Sequence, residues 1–338
     1  METKKIAGVL VTMVAPFENH MANGGEKLFG NASSIKRRPD GRVYVSGQMQ
    51  RHVLFSAIDR LNHLDKAKGT TFVSNGDGIT NLIEIDLRAD LGGFMHTNKG
   101  DYSDRRIAPL SVTPATALDT SSVGRDLLVR IRFDKSSDAK NQALATREYS
   151  EQDKMNMNFF LDITSVGVSK SFVYKDGLNL GTKYFKHITD DEKKRRVKLF
   201  LEATRIMNDY ANQARNAVCG EPEKVLIVFD DRLSRKACRY YTVGEKEQAN
   251  IIKELDQYQV KYFVGDDASD YSVADAYRDA MNYLDKATLV DFAEGEEIMT
   301  FAEAFECKEK EPQEKKSKKG KDKATSAQNL FAEQQDDQ

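Results

Sequence analysis

The sequence is poor in cysteine and contains no long apolar run. Its three cysteines, Cys219, Cys238 and Cys307, lie far apart and include no CxxC pair. An odd number of isolated cysteines argues against a disulfide framework or a structural zinc site, and it suits a reducing cytoplasm. No segment reaches the roughly 20 consecutive apolar residues of a membrane span. The composition therefore predicts a cytoplasmic protein without a membrane partner.

Catalytic and metal-binding motifs are also missing. The five histidines form no HExxH or HxH pattern, so we expect no metal site. There is no GxSxG nucleophile motif, and the glycine-rich stretch FVSNGDG lacks the lysine of a phosphate-binding loop. Asp230 and Asp231 end a predicted strand, where such a pair more often forms a turn. We predict no catalytic residue and no cofactor.

Bulk charge does not indicate a nucleic-acid-binding protein. The 51 lysine and arginine residues nearly balance the 53 aspartate and glutamate residues. A local basic patch, IKRRPDGR, breaks this balance near residue 40. Residues 308–338 are densely charged and almost free of apolar side chains, which predicts a disordered tail.

Hydrophobic patterning predicts an α+β or α/β order with large excursions. Lys5–Ala15 reads as a buried strand ended by Pro16. A helix begins after Ser46, and residues 101–147 are polar enough to form a projecting loop or hairpin. The later segments predicted as strands are Asn156–Ser169, KVLIVFDD and VKYFVGD, and those predicted as helices begin at DDEKKRR, EKEQAN and SVADAY.

The first residues of the helix after Ser46 are mostly polar and unsuited to packing in a core. Ser46 is a suitable N-cap, and Gly47 leaves the first turn open to close approach. A helix N-terminus offers unpaired N–H groups and partial positive charge to a phosphate. The side chains expected to converge there are Gln48, Arg51 and His52, with Lys36, Arg37 and Arg38 from the PDG turn. A solvated basic face is the competing interpretation.

Four strings in this order resemble one protein family. They are SSIKRRPDGRVYVSGQMQRHVLFSAI, DLRADLGGFM, RRIAPLSVTPATAL and TREYSEQDKMNMNFFLDITSVG. Together they are similar to the repeated backbone subunit of type I CRISPR Cascade complexes, in its DevR-type, type I-B-like branch. The resemblance spans roughly residues 1–300.

The resemblance implies an α+β fold with an RNA-recognition-like (ferredoxin-like) βαββαβ palm, long finger-like insertions and a β-hairpin thumb. One elaborated domain would then cover residues 1–307. Its insertions would lie at about 16–40 and 60–100, its thumb at about 101–147, and the charged tail at 308–338.

The same resemblance implies a non-catalytic role in antiviral defence. Several copies of such a subunit stack along the CRISPR guide RNA, bind its backbone and support its pairing with target DNA. Other Cascade subunits complete the effector complex, and a separate nuclease-helicase cleaves the DNA.

Carried onto this chain, the resemblance assigns two sets of RNA-binding residues. The thumb would hold phosphate with Arg105 and Arg106, and Leu110, Val112 or Leu118 would displace a guide base. The chain departs from the family pattern at Gly92, where we expect a bulky residue in relatives. The palm residues are Ser34, Lys36, Arg37, Ser46, Gln48, Arg51 and His52.

Three alternatives stay open at this point. One is a guide-RNA-processing ribonuclease of the same superfamily, with His52 as general acid or base. The second is a target-RNA-cleaving subunit that uses Asp101 or Asp104. The third is a nucleotide-dependent enzyme built on Asp230 and Asp231.

Overall fold

A computed structural model of the chain describes residues 5–27, 32–96, 104–133, 140–214 and 216–305. The strands are β1 (Gly8–His20), β2 (Gly24–Lys27), β3 (Ser33–Ile35), β4 (Tyr44–Val45), β5 (Phe94–His96), β6 (Asp104–Arg106), β7 (Leu110–Val112), β8 (Ala115–Ala117), β9 (Val123–Phe133), β10 (Lys140–Asp162), β11 (Val168–Lys175), β12 (Leu178–Lys186), β13 (Lys224–Asp230) and β14 (Lys261–Asp266). The helices are α1 (Gly47–Leu64), α2 (Leu87–Gly92), α3 (Asp190–Arg205), α4 (Glu245–Gln257), α5 (Val273–Lys286) and α6 (Phe301–Phe305), with 3-10 turns at Ile163–Ser165 and Lys236–Thr242.

One large, mostly antiparallel sheet forms the centre of the molecule. Its strands follow the order β14-β13-β1-β10-β3-β2, and β10 also pairs with β7, β8 and β9. Strand β1 is antiparallel to both of its neighbours, β10 and β13. The mixed architecture of helices and antiparallel strands confirms the α+β class.

The two faces of the sheet carry different covers. Successive residues of a strand point to opposite faces. Val9, Val11 and Met13 therefore pack in one cluster with residues of α1, α3 and α5. Leu10 and Phe160 pack on the other face, in a cluster that includes residues of α4 and of the 3-10 turn Lys236–Thr242. This double cover explains why β1 reads as a continuous apolar run.

The predicted end of the first strand at Pro16 is wrong. Strand β1 continues to His20 in register with β10, and Pro16 pairs with Lys154. The pairing of β1 with β13 stops at Val14. Beyond that residue β1 has no second strand neighbour among the described residues, and proline is tolerated there because its missing N–H is not needed for a second ladder.

Two hairpins extend from the body of the protein. In one hairpin, β9 pairs with the first half of β10. The pairing runs from Val123 opposite Ser150 to Phe133 opposite Lys140. It falls mostly within the range 101–147 where a projecting element was expected. The other pairs β11 with β12 and was not predicted from the sequence.

Part of the expected finger at 60–100 lies in the core instead. All six residues of α2 are buried, and Leu87 and Leu91 belong to the main cluster. Within the described ranges, no helix combines the length and apolar character needed to cross a membrane. The predicted tail at 308–338 lies outside the described residues.

Candidate nucleic-acid interface

The N-terminus of α1 lies at the surface beside β7 and β8. The Ser46 hydroxyl accepts the N–H of Met49 at 3.3 Å, as expected for an N-cap. A side chain at Gly47 would come within 3.2 Å of the Val112 carbonyl oxygen, so the helix start fits closely against the adjoining loop. The first turn contains no acidic residue. Its partial positive charge is therefore not neutralised from within the helix.

The three predicted side chains of this tip differ in exposure. Gln48 and His52 are exposed, and Arg51 is half-buried. Arg51 donates a hydrogen bond to the carbonyl of Gly92, and its guanidinium lies 5.7 Å from the centre of the Phe55 ring. Burial lowers the pKa of Arg51 from its usual value. The group nevertheless stays a cation because arginine does not deprotonate in proteins.

Gly92, where the resemblance led us to expect a bulky residue in relatives, lies directly against Arg51. A Cβ atom at this position would lie 2.5 Å from the Arg51 guanidinium and 3.1 Å from the Phe55 ring. A bulky residue would therefore push Arg51 away from its carbonyl partner. The glycine keeps the space that Arg51 occupies.

A second guanidinium, that of Arg88, was missed from the sequence. It lies over the same Phe55 ring at 4.6 Å, and Arg88 is 9% exposed. Its Nε atom has no hydrogen-bond partner among the described residues. Burial lowers the pKa of Arg88, the nearby Asp86 carboxylate raises it, and the positive charge of Arg51 lowers it. Two cations thus share one ring, and the carboxylates of Asp86 and Asp59 balance part of their charge.

The basic turn upstream is tied to the strand that leads into α1. The carbonyl of Lys36 accepts the N–H of Tyr44 at 3.2 Å, two residues before Ser46. The side chain of Lys36 makes no ion pair with any described residue. Arg37 pairs with the buried Glu148 at 3.3 Å, and Ser34 lies on the neighbouring strand β3. The structure brings Lys36 close to the helix start, whereas Arg37 is directed to a carboxylate.

Arg106 is placed differently from the expectation. It is 8% exposed and pairs with the fully buried Asp90. It also donates to the carbonyl oxygens of Val168 at 2.9 Å and Ser165 at 2.6 Å. Because a buried guanidinium is engaged at several donors, it is not available to a phosphate. Its neighbour Arg105 lies on β6, and its side chain is outside the described residues.

The apolar residues predicted to displace a guide base are buried or half-buried. Leu110 is 3% exposed and packs in the main cluster, so it cannot displace a base. Val112 and Leu118 are half-buried. Within the range predicted for the thumb, the hairpin of β9 and β10 is the part that extends from the body of the protein.

The catalytic alternatives gain no support from the described geometry. His52 makes no hydrogen bond with a described carboxylate or histidine. The Asp230 carboxylate accepts the N–H groups of Arg232 and Ser234 at 3.1 and 2.7 Å, which is the geometry of a turn. Asp101 and the side chain of Asp104 lie outside the described residues.

In the described ranges, no group of three or more histidine, cysteine, aspartate or glutamate side chains could hold a metal ion.

Comparisons with known proteins identify a family and a number of similar solved structures. The family model described as CRISPR-associated negative auto-regulator DevR/Csa2 matches residues 11–217, or 207 of the 338 residues. A solved structure titled "CRISPR RNA-guided surveillance complex" is similar at 14% identity and a TM-score of 0.48, and covers 81% of this chain and 98% of that chain. Another, titled "CRISPR RNA-guided surveillance complex, pre-nicking", has 11% identity, a TM-score of 0.47, and coverage of 82% and 99%. Among curated proteins nothing matches.

Proposed function

Because the chain belongs to the DevR/Csa2 family of CRISPR-associated proteins, we propose that it is a non-catalytic backbone subunit of a type I Cascade effector complex. Copies of the chain stack along the guide RNA, bind its sugar-phosphate backbone and support its pairing with target DNA in the cytoplasm. Other Cascade subunits bind at the ends of this assembly.

The order of elements around the sheet supports an RNA-recognition-like palm. Along the chain, β1, α1, β7 with β8, β10, α3 and β13 follow the sequence of a βαββαβ unit. In the sheet, β1 lies between β13 and β10, and β7 and β8 pair antiparallel with β10. The helices α1 and α3 share one face, as the paired helices of that unit do.

The single observation that carries the proposal is the cationic pair beside the start of α1. Arg51 and Arg88 place two guanidiniums on the ring of Phe55, on the helix that also carries exposed Gln48 and His52. A helix N-terminus and two guanidiniums bind phosphate oxygens of any guide sequence. Backbone contacts fix position without reading bases, which suits a subunit that must accept every guide.

Net charge supports self-stacking. The formal net charge is −2, so copies packed side by side do not repel each other strongly. Contacts between different faces of identical subunits produce open filaments when the rotation does not close. The hairpin of β9 and β10 is the part of the predicted thumb that could reach a neighbouring copy.

The test begins with RNA co-purification. The chain is expressed with its operon neighbours and a guide array, and the purified assembly is analysed for RNA length. We expect RNA of defined length in a large complex. A nucleic-acid-free monomer from the wild-type chain would contradict the proposal.

Binding measurements then locate the site. Arg51→Ala and Arg88→Ala should each weaken guide-RNA binding by about 1.5–3 kcal/mol, the usual range for a hydrogen bond to a charged group. Each should also reduce the slope of log affinity against log salt by about 0.7 for every phosphate that the variant no longer neutralises. The matched control is Arg60→Ala, on the same helix but bonded to Asn208 far from the tip. An equal reduction in affinity with Arg60→Ala would contradict the assignment of the RNA-binding site to the N-terminus of α1.

A further inference from the structure

A partly apolar groove lies at the base of the hairpin formed by β11 and β12. Its cavity measures about 400 Å³. Polar and charged side chains, among them Arg106, Asp162 and Lys170, form part of its lining. The apolar part of the lining consists of Ile107, Val168, Phe172, Tyr184, Leu233, Phe292, Phe301 and Phe305. Ile107, Phe172 and Phe292 keep 67%, 49% and 54% of their surfaces exposed. A cluster of large exposed apolar side chains on one rim marks a docking surface rather than ordinary scattered exposure.

The polypeptide leaves the described structure from the wall of this groove. Phe305, the last described residue, lines the groove and packs its ring 4.7 Å from Phe301 and 5.4 Å from Phe185. After Phe305 the sequence continues with a strongly polar segment. Within that segment, Leu330 and Phe331 are the only large apolar residues. The chain therefore carries one apolar pair on a tether that starts at an uncovered apolar groove.

Charges beside the groove and beside the apolar pair are complementary. Lys170 lines the groove, and Lys183 pairs with the neighbouring Ser171 across the hairpin. Both lysines are exposed and make no ion pair with any described residue. Residues 324–338 contain three acidic residues and no lysine or arginine. The acids, Glu333, Asp336 and Asp337, all follow Phe331. A segment that places Phe331 in the groove can thus bring carboxylates to the hairpin lysines.

We propose that Leu330 and Phe331 dock into this groove of their own chain, with the following acidic residues beside the lysines of the hairpin. Leu330 follows Phe305 by 25 residues. A random-coil linker of that length has an r.m.s. span of about 25–30 Å, which exceeds the short distance from Phe305 to the groove floor. Tethering of this kind gives an effective concentration on the order of millimolar, so the pair outcompetes the same segment of a second molecule at ordinary concentrations. The inference does not depend on RNA binding.

Tryptophan fluorescence of the full chain tests this docking directly. The chain has no tryptophan, so Phe331→Trp creates a single reporter. We expect emission at shorter wavelength than that of a free peptide, weak quenching by acrylamide, and no dependence on protein concentration. A separate reporter, Ala324→Trp, should emit as an exposed indole because it lies outside the docking pair.

Groove variants supply the second half of the experiment. Ile107→Ser and Phe292→Ser, made in the Phe331→Trp chain, change exposed rim residues and should shift the emission to longer wavelength. The matched control is Leu64→Ser, a residue 78% exposed on α1. It should leave the emission unchanged.

Three results would overturn the proposal. Emission from the Phe331→Trp chain equal to that of the Ala324→Trp chain would mean that the pair does not dock. A blue shift that survives both groove variants would place the indole elsewhere. A blue shift that grows with protein concentration would mean that the groove takes a second copy of the chain. The RNA-binding results are independent of all three, because the fluorescence is read on the RNA-free chain.

Discussion

Arg51 and Gly92 are joined by a hydrogen bond across 41 residues of sequence, from a guanidinium on α1 to the carbonyl at the end of α2. The glycine has a second role, because its missing side chain leaves the space that the guanidinium fills. The bond therefore fixes the direction of a cation at the proposed RNA-binding surface.

Gly92→Ala should weaken RNA binding although it removes no charge. The added Cβ lies 2.5 Å from the Arg51 guanidinium, a flexible group that can move away. We expect the reduction in guide affinity to approach that of Arg51→Ala, with unfolding by urea changed less than affinity. Gly181→Ala serves as the control, because nothing lies within 4 Å of its added Cβ. Wild-type affinity in Gly92→Ala would show that the orientation of Arg51 does not matter for RNA.

The buried ion network should appear in stability measurements. Asp90 pairs with both Arg106 and Arg196, the latter at 2.7 Å, and all three are buried. Asp90→Asn leaves two buried guanidiniums without their shared carboxylate. Breaking a buried pair by removing one partner costs about 3–5 kcal/mol in the free energy of unfolding.

Urea denaturation of the Asp90→Asn chain measures this decrease. The control is Arg278→Ala, which breaks an exposed pair with Asp275 and should change little. If Asp90→Asn were as stable as the wild-type chain, the ion pairs of Asp90 with Arg106 and Arg196 would not contribute to the stability of the fold.

Acidification should destabilise the fold through His187. Burial lowers the pKa of this imidazole from its ordinary 6.5 to about 4. Between these values the unfolded chain binds the proton more readily than the folded chain does. The free energy of unfolding therefore falls as the pH drops from about 6.5 to 4, by at most about 1.4 kcal/mol per pH unit from this group.

A variant isolates this contribution. His187→Gln removes the titrating group and can keep a donor for the Met299 carbonyl, which lies 2.7 Å from the imidazole Nδ1. Its stability should vary less with pH in this window than that of the wild-type chain. Leu64→Gln, at an exposed position of α1, should keep the wild-type slope because it changes no titrating group. Equal slopes for wild type and His187→Gln would assign the pH dependence to other groups.

Incubation with RNA tests the absence of ribonuclease activity. His52 is exposed and has no described acid or base bonded to it. We therefore expect guide RNA to keep its length with the wild-type chain and with His52→Ala, while His52→Ala binds it moderately less well. Cleavage by the wild-type chain that disappears in His52→Ala would support the processing ribonuclease instead.

Local sequence signals predicted the start of α1 well. Ser46 caps the helix, and Val53, Ala57 and Ile58 are buried at the expected spacing. These features depend on neighbours a few residues away, which the sequence displays. Leu64, the last residue of the helix, is apolar but exposed, which its residue type alone did not indicate.

Features set by distant contacts could not be predicted in the same way. Arg106 resembles a surface cation until Asp90 and the carbonyls around it are brought together by folding. Arg88 gave no signal because its role depends on the ring of Phe55, 33 residues earlier. The hairpin of β11 and β12 was missed because most of its residues are exposed on both faces, so its sequence lacks the alternation of a half-buried strand.

Strand β10 has a mechanical consequence. It runs for 23 residues without a break, or about 75 Å at 3.3 Å per residue, and pairs with β9 at one end and with β1 and β7 at the other. Near its C-terminal end β10 is paired on both edges, with β1 on one and with β7 and β8 on the other. In the hairpin, before Ser150, it pairs with β9, and of the other described strands only β3 meets it there, at Arg147. The projecting hairpin and the centre of the sheet therefore share one continuous backbone, which is firmly braced in the sheet and lightly braced outside it.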